Sequence, residues 1–110
     1  MGAGASKPSQ EEVQRRYKKC AALASAHAHC VRAARRDGGA AAVASACGAL
    51  ETSLLGCLAA QVAPQEAEAH TKCVNKAMSM RGKGPGACAA EVEAMARVVK
   101  KAGLWPPPPP

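Results

Sequence analysis

A chain of 110 residues has room for one small domain, or for two very small ones sharing a core. Alanine is the largest part of its 48% hydrophobic share, with no phenylalanine, one tyrosine and one tryptophan, which favours helices and excludes a deep core of large side chains. A net charge of +7 and six cysteines point to a basic outer face and to covalent staples in place of bulk.

The first segment, residues 1–9, opens with MGAGASK. Gly2 after methionine removal, followed by Ser6 and Lys7, fits the N-myristoylation pattern; a single acyl chain needs a second signal to hold a membrane. No apolar run of a secretory signal is present, and Glu11 and Glu12 ahead of Arg15 and Arg16 do not suit a matrix presequence. Ser9 is a candidate N-cap with Glu12 as its capping-box partner, so a first helix is expected from residue 10 to about residue 36. It carries Arg15, Arg16, Lys18, Lys19, Arg32, Arg35 and Arg36, a basic face suited to anionic lipid or an acidic protein. Nucleic acid is not expected as a partner, because no aromatic platforms stand beside these groups.

Asp37, Gly38 and Gly39 stop that helix, and a second is expected from about Ala40 to Ala63. No run of eighteen consecutive apolar residues occurs, so no membrane span is expected. Pro64 suits the first turn of a third helix, which ends in RGKGPG at residues 81–86. A fourth helix runs from about Ala87 to Ala102 and is closed by Gly103. The fold class is therefore all-α: two antiparallel helical hairpins, residues 10–63 and 64–103. Residues 104–110, LWPPPPP, read as an inert polyproline II tail.

Nine residues separate Cys20 from Cys30, and nine separate Cys47 from Cys57. Ten steps along a helix are about 15 Å and just under three turns, so each pair lies on nearly one side. The first stripe holds Val13, Tyr17, Cys20, Leu23, Ala24, His27, Cys30 and Val31; the second holds Val43, Cys47, Leu50, Leu54, Cys57 and Leu58. Folding at residues 37–39 sets Cys30 against Cys47 near the turn and Cys20 against Cys57 at the open end. The second half repeats the first. AHAHCV at residues 26–31 returns as AHTKCV at 69–74, so His70 matches His27, Cys73 matches Cys30 and Cys88 matches Cys47. Ala63 and Val98 stand where the outer cysteines would be, which leaves one bridge, Cys73–Cys88, in the second hairpin.

Twin C-x9-C on paired helices resembles the coiled-coil-helix-coiled-coil-helix family of the mitochondrial intermembrane space. The twin motif covers residues 20–57, and the degenerate copy extends the match to about residue 100. The resemblance implies import as a reduced chain and trapping by the disulfide relay of that compartment, with Tyr17, three residues before Cys20, as the aromatic that docks on the relay. It also implies non-catalytic work as an accessory subunit or assembly factor of a respiratory complex, complex I or cytochrome c oxidase. The alternative is a myristoylated membrane-organising protein at cristae junctions, peripheral on the inner membrane. A metal or redox carrier is the third reading. Against that reading, the family's copper chaperones carry adjacent cysteines and its oxidoreductase a Cys-Pro-Cys motif, and neither is present.

His27 and His70 lie on the inward stripe and are expected to pack, since a bridged cysteine supplies no thiolate to complete a metal site. His29 is expected to be exposed. No metal and no cofactor is expected. No Ser/His/Asp set, glycine-rich phosphate loop or carboxylate pair argues for an enzyme.

Overall fold

A computed structural model describes residues 7–79 and 88–108. Among these residues the chain is all-α, with four helices: α1 (Gln10–Lys18), α2 (Ala21–Val62), α3 (Pro64–Ser79) and α4 (Ala89–Lys101). The RGKGPG segment, Gly2 and the last two prolines lie outside the described residues.

Ser9 caps α1: its backbone is extended and its Oγ accepts from the Glu12 N–H at 3.1 Å. The Glu12 carboxylate lies 3.7 Å from Arg16, one turn on. The single helix expected over residues 10–36 is divided. α1 ends at Lys18, and Cys20, with φ −116° and ψ 27°, stands outside helical geometry before α2 begins. The break is held by one side chain from elsewhere and by a local backbone bond. Gln61 Nε2 donates to the Arg16 carbonyl at 3.0 Å, and the Cys20 N–H donates to the Tyr17 carbonyl at 3.0 Å. Two carbonyls that the end of a helix leaves open are thus satisfied.

α2 is one element by hydrogen bonding, yet its backbone leaves the helix at Gly38 and Gly39. Gly39 has φ 71° and ψ −152°, a region that only glycine enters without strain. The limbs 21–37 and 40–62 run back along each other and are joined by Cys30–Cys47 near the turn and Cys20–Cys57 at the open end, with Cα separations of 5.8 and 6.1 Å. By length and composition alone α2 is apolar enough to cross a membrane, which the absence of an uninterrupted apolar run did not suggest; the turn at Gly38–Gly39 folds that length into two shorter limbs. α3 and α4 form the second hairpin, joined by Cys73–Cys88 with a Cα separation of 5.9 Å.

The C-terminus of α4 closes in a Schellman motif. The Gly103 N–H donates to the Lys100 carbonyl at 3.0 Å and the Leu104 N–H to the Val99 carbonyl at 3.1 Å. Gly103 takes φ 78°, and a Cβ there would stand 2.5 Å from Pro8 Cδ. The start of α1 therefore packs on the end of α4.

The core forms where these ends meet. Tyr17, Cys20, Leu54, Leu55, Leu58, Ala59, Met95, Val99 and Leu104 are its buried members. No residue from 25 to 53 belongs to it. Leu54 and Met95, equivalent positions of the sequence repeat, are both fully buried in this cluster. Leu104 is 2% exposed, so the segment read as an inert tail begins inside the core.

Candidate functional site

His27 is buried, and its ring lies against Trp105, with centroids 5.9 Å apart and planes tilted by 52°. The repeated histidine therefore serves packing in the first hairpin, where it meets the first residues of the C-terminal segment. His70 is half-buried and His29 exposed. The tryptophan partner had no sequence signal, because nothing in LWPPPPP specifies that the chain turns back.

Tyr17 is 7% exposed and its hydroxyl donates to the Leu104 carbonyl. Burial pushes its pKa up to about 12, since the phenolate would lose water without gaining a cationic partner. In the folded chain it is a clasp between α1 and the C-terminal segment. Cys20 is equally committed, at 3% exposure and bridged to Cys57.

The basic residues fall in two groups along the chain. Arg15, Lys18 and Lys19 are exposed on and just after α1, with Arg16 half-buried. Arg32, Arg35 and Arg36 are exposed beside the Gly38–Gly39 turn. Twelve residues, including the break at Cys20, lie between Lys19 and Arg32. A shallow depression of about 300 Å³ is lined by Glu12, Arg15, Arg16 and Lys19. Beside the turn, Ala33, Ala40, Ala41, Ala44 and Ala46 are exposed, so this end of the hairpin offers a smooth, small-residue surface edged with arginine.

Among the described residues one group of possible metal-ligand atoms converges: the Cys73 and Cys88 sulfurs and a Glu91 carboxylate oxygen, all within 4.8 Å. The two sulfurs are bonded to each other, so the group offers one carboxylate and no thiolate.

A larger concavity sits at the open end of the second hairpin. Val62, Ala63, Pro64, Gln65 and Glu66 form one wall, and Val98, Lys101 and Ala102 the other, around a cleft of about 530 Å³. Ala63 and Val98 are the positions that the repeat aligns with Cys20 and Cys57. Where the first hairpin carries a bridge with Gln61 Nε2 3.3 Å from the Cys20 sulfur, the second has an open cleft of mixed lining. Gln61 Oε1 is buried and has no hydrogen-bond partner.

No family model, curated protein or solved structure matches the chain, so its geometry and its sequence pattern carry the functional argument.

Proposed function

We propose that this chain is a coiled-coil-helix-coiled-coil-helix protein of the mitochondrial intermembrane space, working without catalysis as an accessory subunit or assembly factor of a respiratory-chain complex. The observation that carries the reading is the nested bridging of two C-x9-C limbs around a glycine turn, followed by a second hairpin that keeps only the inner bridge. Bridged cysteines suit an oxidising compartment. The resemblance supplies the choice of complex, with complex I and cytochrome c oxidase as the two it favours, because a fold does not by itself fix a function.

The chain's contribution is a stiff clamp. Its alanine-covered end lets another helix approach closely, and Arg32, Arg35 and Arg36 beside it suit an acidic partner. Docking of Tyr17 and Cys20 on the disulfide relay belongs to the reduced chain, since folding buries the one and bridges the other.

Native-gel migration in gently solubilised mitochondria, read by mass spectrometry, tests the proposal. Co-migration with a mature respiratory complex or its subassemblies is expected; absence from purified mitochondria would overturn it. A second reading, a myristoylated membrane-organising protein, is supported by the exposed Arg15, Lys18 and Lys19 close to the N-terminal segment. It requires Gly2→Ala to release the protein from membranes, and an unchanged distribution would remove it.

A further inference from the structure

We propose that the cleft at the open end of the second hairpin is the resting site of a saturated fatty acyl chain carried on Gly2. The inference rests on the acylation reading of Gly2 and adds where the acyl chain goes. Once Met1 is removed, the Gly2 α-amine attacks the thioester of an acyl-coenzyme A. An amide bond forms, the carbon–sulfur bond breaks, and the thiol leaves with the proton.

Three observations converge on this cleft. The folded chain delivers its N-terminal segment to the cleft's edge: Pro8 packs on Gly103, the residue after Ala102 of the cleft wall. That approach depends on the absence of a Cβ at Gly103. The distance is also short enough. Six residues from Gly2 to Pro8 reach at most about 20 Å, whereas the wall from Val98 to Ala102 spans about 6 Å of helix. Part of the lining matches the ligand as well. Val62, Ala63, Val98 and Ala102 are half-exposed apolar side chains, with Gln65, Glu66 and Lys101 around them, and at about 530 Å³ the cleft falls among pockets that hold small molecules. An unbranched hydrocarbon needs no hydrogen bonds, whereas a peptide laid there would bring N–H and C=O groups in search of partners.

The loss of the outer bridge in the second hairpin then has a use, since it leaves room for the chain. One acyl chain holds a membrane only marginally, so an intramolecular cleft competes effectively with lipid. The protein stays off neutral membranes while the cleft is filled by its own acyl group.

The test uses the oxidised full-length chain co-expressed with and without an N-myristoyltransferase. The acylated form should gain the mass of one acyl group and show nuclear Overhauser contacts between acyl methylenes and the Val62 and Val98 methyls. Ala63→Trp, which fills the cleft, and Ala102→Lys, which replaces one of its few apolar side chains by a further charge, should each raise flotation of the acylated chain with phosphatidylcholine vesicles at least five-fold. The unacylated proteins should not differ. If the transferase leaves the mass unchanged, the inference falls together with the acylation reading. If the mass rises but the contacts are missing and flotation is equal, it falls alone. Should a variant fail to fold, the contacts in the unsubstituted chain decide.

Discussion

At the scale of single residues, the contacts between the N- and C-terminal segments are the most exposed to test. Tyr17 is the chain's one tyrosine, so its ionisation can be read directly by ultraviolet absorbance. With its pKa pushed up to about 12 by burial, the phenolate should appear in the folded protein well above the midpoint near 10 of the denatured chain. The sign follows from which state binds the proton more tightly. Folding favours the protonated phenol, so this contribution is whole below about pH 10 and is lost as pH rises towards 12. A folded-state midpoint near 10 would mean that Tyr17 is not buried. Tyr17→Phe removes the donor to the Leu104 carbonyl and should lower stability by about 1–2 kcal/mol in denaturant titrations. Gly103 is under two constraints at once, a left-handed backbone and the Pro8 ring. Gly103→Ala should cost about 1–2 kcal/mol from the backbone alone, and more from the contact. Pro8→Ala in the same chain should return the contact's share, and strict additivity of the two changes would argue that Pro8 does not press on Gly103.

At the scale of elements, the bridges differ in a way that follows from the loops they close. Cys20–Cys57 spans 37 residues of sequence and Cys30–Cys47 spans 17, so loop closure alone gives about 4 against about 3 kcal/mol. Cys20 also lies in the core cluster, whereas neither Cys30 nor Cys47 does. Replacing Cys20 and Cys57 by alanine should therefore destabilise the chain more than replacing Cys30 and Cys47, by denaturant titration without reductant. The reverse order would place the main core at the turn. The elements themselves were largely legible. Ser9 as cap, the glycine stop after Asp37, Pro64 at a helix start and Gly103 at a helix end are local signals, and local backbone preferences decide those positions. The break at Cys20 was not legible, because the lysines before it and the alanines after it favour a continuous helix. It is set by Gln61, forty-one residues away in sequence, reaching the Arg16 carbonyl and the Cys20 sulfur. Leu55 and Ala59 are buried although they lie off the cysteine stripe. The stripe reports only what faces the bridged limb, whereas this part of α2 also meets the second hairpin. The candidate site divides in the same way: the cysteines are read from spacing, while the cleft exists only once the start of α3 and the end of α4 are set side by side.

At the scale of the whole molecule, the question is whether two hairpins make one folding unit. Each is small and rich in alanine, and each has a covalent staple that would let it persist alone. The core argues for unity. Its buried members come from α1, α2, α4 and the C-terminal segment, and the repeat positions Leu54 and Met95 are buried in the same cluster. The His27–Trp105 contact adds a link between the first hairpin and the residues that follow α4. Since Trp105 is the chain's one tryptophan, its fluorescence reports docking of the C-terminal segment, and far-ultraviolet circular dichroism reports helix throughout. If the core couples the halves, both signals should change in one coincident transition with the bridges intact. Met95→Ala, which empties part of a fully buried site, should lower that transition by about 2–5 kcal/mol in both signals together. Loss of the fluorescence change at low denaturant, with helix surviving to a second transition, would show that the hairpins are separate units held by a weak seam. The clamp would then be jointed. A jointed clamp could not hold the N-terminal segment and the second hairpin's cleft at a fixed distance, so the same melting curve bears on where the acyl chain rests.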